Sequence, residues 1–235
     1  MNSIHTRIFV SLCIISAICL SSCDSPKARG NGLEGKIVYD LTYPYERGSV
    51  MMDLYPTEMT FHFKGSKLHS EIKSSYDIMT TNLIVDCENK VFTQLLKNMS
   101  KRYSTRLNEE ETRAWYMRYP QLTYTLTDET MCIAGYICNK AIAHFANDSL
   151  PAIDIYYTKG LGLSCSNWWN PFDQIDGFLM GYDMEQYGMR MHLRAKSVSF
   201  EAVDDECFAI PKNFEMIDGA GMDEQMRNII SDFVK

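Results

Sequence analysis

Catalytic signatures are what this 235-residue sequence most conspicuously lacks. It has no Gly-x-Ser-x-Gly elbow, no His-Glu-x-x-His and no Walker loop, which removes the readable routes to serine hydrolysis, metalloproteolysis and nucleotide hydrolysis. Ser164, in GLGLSCSN, completes only part of an elbow. Positive charge is also short: 23 Lys and Arg against 30 Asp and Glu leave a formal charge of −7, the wrong sign for a nucleic-acid partner. Cys-x-x-Cys spacing is absent, so no zinc ribbon is written in the chain. Beyond residues 8–20 no apolar run is long enough to cross a membrane. The expectation is a protein that is not an enzyme and needs no cofactor.

What is present begins at the N-terminus. Residues 1–22 carry Arg7 and no acid, pass through an apolar stretch and finish on small serines, which is the architecture of an export signal and too short for a stable span. The boundary Leu20-Ser21-Ser22-Cys23 resembles a bacterial lipobox, in which the cysteine thiol receives a diacylglycerol and the peptide is cut before it. That resemblance makes Cys23 a lipid anchor and withdraws it from disulfide chemistry; two or three acyl chains at about 0.8 kcal/mol per buried methylene hold a chain at a membrane. Residues 23–35 then read as a lipidated flexible tether, and residues 36–235 as one domain. With 46% hydrophobic and 12% aromatic residues, the domain is globular in composition.

Along that domain, period-two alternation recurs. Ile37, Tyr39, Leu41 and Tyr43 share one face, as do Met59, Phe61 and Phe63, and Gly65-Ser66 makes a two-residue turn that sets His62 opposite His69. Strand pairs are expected around residues 83–95, with a further strand at 101–107. Asn108 caps a short helix opening Glu109-Glu110-Glu111, where three acids face the positive end of the helix dipole; this explains the acids better than acid-base catalysis. More strands are expected at 123–126, around a hairpin at Ala134-Gly135, and at 152–158. Asn170-Pro171 reads as a second helix start with Phe172, Ile175, Phe178 and Leu179 at helical spacing. Strands at 189–195, 198–203 and 208–216 follow, and Met222, Met226, Ile229, Ile230 and Phe233 form the stripe of a closing amphipathic helix.

The resulting fold class is mainly β (α+β): a strongly curved antiparallel sheet or unclosed barrel of about ten strands, with two or three short helices packed at its concave side. The pattern resembles the lipoprotein-carrier superfamily, which includes LolA and LolB. More closely, IAGYICNKAIAHF, IDIYYTK and CFAIPKNFEMI are similar to uncharacterised exported families of Bacteroidota, through Gly135, Tyr136, Cys138, Lys140, Tyr157, Thr158, Lys159, Pro211 and Phe214. The resemblance implies a fold and an environment, and carries no catalytic residues. It favours an exported, outer-membrane-anchored protein; the tether lacks the acidic cluster associated with surface display, so a periplasm-facing domain is expected. Asp24 after the cysteine would retain a lipoprotein in the inner membrane under the enterobacterial rule, which keeps that membrane open.

The leading site candidates are aromatic and Met-rich, in a chain with 15 methionines. Trp115, Trp168, Trp169, Phe172, Phe178 and Met180 are the expected lining of a cavity for a lipid-like ligand. Neighbouring Trp168 and Trp169 on an extended segment point to opposite sides, so one of them leaves the core or lines an opening. The rival reading is an envelope scaffold with a protein partner and a self-filled core. His62 and His69 face each other but find no acid or cysteine locally, so a solvated polar face is expected there and no metal. Cys132 and Cys138 straddle a turn; a three-residue loop would set them opposite each other for a disulfide, and a two-residue loop would not. Pairings of either with Cys87, Cys165 or Cys207 stay open. Arg190, His192, Arg194 and Lys196 form a basic stripe that suits a headgroup, an anionic partner or a solvated face. Asp148-Ser149-Leu150 matches the Asp-Ser/Thr-apolar pattern that Bacteroidota use for O-glycosylation, which would place sugar on Ser149.

Overall fold

Alternating apolar residues become strands wherever one face can be buried, and among the described residues one sheet collects twelve of them. The structure is a computed structural model and describes residues 33–44, 52–146, 150–163, 165 and 167–234. The anchor Cys23, the signal segment, Ser149 and Ser164 lie outside the described residues. In chain order the elements are β1 (Glu34–Thr42), β2 (Glu58–Lys64), β3 (Lys67–Lys73), β4 (Met79–Asp86), β5 (Val91–Asn98), β6 (Lys101–Leu107), α1 (Glu109–Tyr116), β7 (Leu122–Ile133), β8 (Tyr136–Phe145), β9 (Ile153–Thr158), β10 (Phe178–Gln186), β11 (Met189–Ser199), β12 (Glu215–Met216) and α2 (Gly219–Val234). The sheet runs β12-β6-β5-β4-β3-β2-β1-β11-β10-β9-β8-β7 and is not closed. All pairs are antiparallel except the short parallel contact of β12 with β6.

Two meanders meet at one seam. β1 pairs with β2 on one side and β11 on the other, so the N-terminal and C-terminal meanders form one sheet. The Tyr39 hydroxyl donates to the Leu179 carbonyl at 2.7 Å, a buried tie across the seam from β1 to β10. Gly35 makes a close approach possible there: a Cβ at that position would lie 2.2 Å from the Ser199 carbonyl oxygen. Glu34 and Gly35 are therefore strand, where the sequence suggested tether, because Gly35 pairs with Phe63 of β2.

The alternating residues of β1 and β2 are core: Ile37, Tyr39, Leu41, Tyr43, Met59, Phe61 and Phe63 are all buried. The Gly65-Ser66 turn sets Phe63 opposite Leu68 and His62 opposite His69, with Gly65 at φ +56°. Asn108 caps α1 through a capping box, its Oδ1 accepting from Glu111 N at 2.9 Å while Glu111 Oε2 accepts from Asn108 N at 2.8 Å. Helix α2 buries Met222, Met226, Ile229 and Ile230.

Three expectations are corrected. The second helix start at Asn170-Pro171 makes turns instead: Asn170 Oδ1 accepts from Phe172 N at 2.9 Å, but β10 begins at Phe178, leaving too few residues to repay helix nucleation. Residues 189–199 are one strand, β11, because β1 offers it a continuous partner. Residues 208–216 are not a long strand. After β11 the chain leaves the sheet as a strap, with a 3-10 turn at Asp205–Phe208, and pairs again only at Glu215–Met216. Among the described residues the helices are accordingly two α-helices of 8 and 16 residues, accompanied by short 3-10 turns.

Candidate functional site

Inward-facing residues of both meanders leave an unfilled space beneath α1. Met59, Phe61, Ile72 and Leu83 come from one meander, Tyr182, Met184 and Leu193 from the other, and Trp115, Tyr116 and Trp169 roof the space. The cavity measures about 100 Å³ and is mainly apolar. Ser70, Thr81 and Gln94 put polar atoms on one wall, and Thr81 Oγ1 is buried there without a hydrogen-bond partner. An orphan hydroxyl beside an apolar space can take one polar atom of a ligand. Burial pushes the Tyr116 and Tyr182 phenols well up, which keeps both neutral.

Two open hollows adjoin this cavity. One, of about 440 Å³, shares Tyr116 and Asn170 with it and is also walled by Arg113, Tyr124 and Trp168. The other, of about 220 Å³, shares Trp115, Tyr116 and Tyr187 and reaches Asp223 and Arg227 of α2. Helix α1 stands between all three spaces. Thr112 is its one fully buried residue, and Trp115 and Tyr116 are half-buried on the same helix. Trp115 packs on Gly219, where a Cβ would lie 2.8 Å from the indole.

The other part of the roof is covalently fixed. Cys87, after β4, is bonded to Cys165 across 78 residues, with a Cα–Cα distance of 5.6 Å. Asn167 Nδ2 donates to the carbonyls of Ile175 and Gly177 at 2.8 and 3.0 Å, and the Tyr124 hydroxyl donates to the Pro171 carbonyl at 2.9 Å. This holds the Trp168-Trp169 step in place. Trp169 stacks on Phe61 at 6.5 Å over the cavity, while Trp168 faces the outer hollow with the Lys90 ammonium 5.0 Å from its ring centre.

No protein-family model matches this chain, and no curated protein does. Among solved structures it is similar to a beta-barrel-like protein of domain of unknown function DUF1849 from Brucella abortus, at 11% sequence identity and a TM-score of 0.37, over 72% of this chain and 98% of that one. A score that low extends neither fold family nor activity to this chain.

Of the aromatic and methionine candidates, Trp115 and Trp169 line the cavity and Trp168 lines the adjoining hollow. Phe172, Phe178 and Met180 do not line it; they are packed core, with Phe172 edge-on to Tyr182 at 5.6 Å and Phe178 edge-on to Phe61 at 5.1 Å. The turn conformation of 170–175 is the reason, since it points Phe172 inward beneath the roof rather than along a helix. A disulfide between Cys132 and Cys138 is also overturned. Their hairpin has the two-residue loop Ala134-Gly135, so Cys138 pairs with Met131 while Cys132 pairs with Ile137. Cys138 is a free, buried thiol, pushed up to about 11 by burial, and Cys132 is exposed and bonded elsewhere. Three members of the basic stripe meet acids, Arg190 and His192 at Asp183 and Lys196 at Asp40, while Arg194 lies 3.0 Å from Met131 Sδ.

The opposite face of the sheet corrects the reading of the histidine pair. His62 and His69 alternate with Phe63 and Leu68, and their rings stack at 5.8 Å. They are not a solvated polar face, because the strap crosses them: Lys64 binds Asp205 at 2.9 Å, and Cys207 Sγ comes 2.9 Å from His69 Nδ1. His69 Nε2 meets Asn82 Oδ1 at 2.8 Å, and His69 is only 9% exposed. Burial lowers the pKa of both imidazoles, with His69 and Lys36 adding to the effect on His62. Burial raises the Cys207 thiol, helped by Glu71 and Asp204. The local sequence gave no sign of this cluster because Cys207 lies 138 residues from His69.

Proposed function

We propose that this protein binds a hydrophobic, lipid-like molecule without chemistry, as an exported lipoprotein anchored through Cys23 at the outer membrane with its domain facing the periplasm. The observation that carries the reading is the apolar cavity under Trp115 and Trp169, opening through shared walls into the hollows on either side of α1. The unclosed sheet with α1 over its interior supports the lipoprotein-carrier resemblance drawn from the sequence. At about 100 Å³ the inner cavity is smaller than the ~300–1,000 Å³ usual for small-molecule sites, so it receives the end of an alkyl chain. The rest of the ligand lies in the outer hollow, and entry displaces α1, whose one fully buried residue is Thr112. Thr81 Oγ1 gives the inner wall one polar contact.

The same small volume favours a second reading, an envelope scaffold whose core fills itself and which meets a protein partner. A fluorescent fatty-acid probe separates the two. Saturable binding to the purified protein, weakened at least tenfold by Trp169→Ala, is the expected result. Absence of saturable binding, together with no hydrophobic molecule retained in native mass spectrometry after gentle extraction, would leave the scaffold reading.

A further inference from the structure

From the cluster beneath the strap, we infer that His62, His69 and Cys207 form a binding site for a zinc-class divalent cation that staples the C-terminal strap to the convex face of the sheet. Each residue offers one ligand atom, and the three atoms lie within 4.8 Å of one another. The donor set of two imidazoles and one thiolate suits zinc among the first-row metals, and three protein ligands leave the fourth tetrahedral position to water.

Asn82 supports this assignment. Its Oδ1 accepts the proton on His69 Nε2, which fixes the neutral tautomer with the Nδ1 lone pair directed at Cys207 Sγ. This is the outer-shell arrangement that orients ligating histidines. His62 supplies an independent observation: its Nδ1 is shielded from solvent and has no hydrogen-bond partner. A Cys-His pair acting as a nucleophile would need Cys207, His69 and Asn82 but would leave His62 without a role. A metal uses both imidazoles and the sulfur.

The geometry needs small adjustments, in which ligand atoms that now span up to 4.8 Å draw together and the closest pair opens. A tetrahedral zinc with bonds of ~2.0 Å to nitrogen and ~2.3 Å to sulfur holds those atoms about 3.5 Å apart. The present Nδ1 to Sγ distance is 2.9 Å, that of a hydrogen bond. Cys207 sits in the 3-10 turn of the strap, outside the sheet ladder, so the strap can move outward by the difference. On binding, the cation takes the place of the thiol proton, which passes to solvent, and no oxidation state changes. The site lies on the face opposite the cavity and is independent of the lipid reading.

Cobalt(II) titrated into the chelator-treated full chain tests the site. One equivalent should give the intense visible bands of tetrahedral cobalt and a thiolate charge-transfer band, and zinc should displace it. Cys207→Ser should abolish the charge-transfer band. His62→Asn, at a half-exposed position, should weaken binding at least tenfold with an unchanged circular dichroism spectrum. Asn82→Leu tests the positioning role and should cost ten- to a hundredfold in affinity. Zinc should also slow alkylation of Cys207. Failure of the wild type to give the tetrahedral spectrum, or a charge-transfer band that survives Cys207→Ser, overturns the site.

Discussion

The two faces of the same strands solve different problems. On the concave face of β2 and β3, Phe61, Phe63, Leu68 and Ser70 turn toward the other meander, and contact there is mostly apolar and non-directional. On the convex face His62 and His69 meet the strap through directed polar contacts with Asn82 and Cys207, flanked by the Lys64–Asp205 and Lys36–Glu201 ion pairs. Apolar contact tolerates a gap, which is what leaves room for a cavity. Directed contact does not, which is what converges three ligand atoms. One face can therefore accept a varied hydrophobic guest, whereas the other selects by geometry.

The largest effect should come from the roof of the concave face. Closing a loop of 78 residues is worth about 4.5 kcal/mol in the chain-entropy account. Cys87→Ala with Cys165→Ala should lower the melting temperature by about 10–15 °C in calorimetry. Fatty-acid probe affinity should fall with it, because the Trp168-Trp169 step loses its tether; an unchanged affinity would show that the disulfide holds only the fold.

Next, core and cavity wall should separate. Phe172→Ala removes a fully buried ring and should cost about 4 kcal/mol in chemical unfolding, while the folded variant retains its probe affinity. Trp169→Ala should do the reverse, with a loss of about 1–2 kcal/mol in stability and a large loss of binding. If both variants lose binding equally, the distinction between packed core and cavity wall is wrong.

On the polar face, Asp183→Asn should cost about 3 kcal/mol in urea unfolding, because Arg190, with 8% of its side chain exposed, loses the Asp183 carboxylate from a buried ion pair. Burial opposes ionisation of Asp183 most strongly of any single influence, but the His192 hydrogen bond and the Arg190 charge together outweigh it and lower its pKa. Its contribution is therefore full above the ordinary aspartate value of 3.8 and is lost as pH falls through the lower folded value. The substitution should flatten the acid limb of the stability curve.

The smallest effect concerns His62 and His69. Both have folded pKa values below the ordinary 6.5, so the unfolded chain binds protons first. Stability should be full above that value and decline by about 1 kcal/mol or less as pH is lowered to ~5. His62→Gln should reduce the slope, and a slope that does not change would place the titration elsewhere.

Legibility in the sequence followed the range of the interaction. The β2–β3 register, the Asn108 cap and the α2 stripe rest on residues a few positions apart, and turn geometry or helical periodicity suffices to read them. The Asn170-Pro171 signal was real as a cap, yet β10 claimed the residues a helix would need. Trp169 could be placed at an opening because adjacent residues on an extended chain diverge. Phe172 could not, since its direction depends on a turn pinned by Asn167 and Tyr124.

The sequence by itself determined the strands, their alternation and the acidic, mainly β character of the domain, because period and composition are local properties. Which cysteines met was a tertiary decision: the two-residue loop put Cys132 and Cys138 out of register, while folding brought Cys87 to Cys165. The cavity and the His62–His69–Cys207 cluster were tertiary as well. Both depend on segments separated by many tens of residues, and only closure of the long connections, with the packing that compensates its entropy, sets those groups side by side.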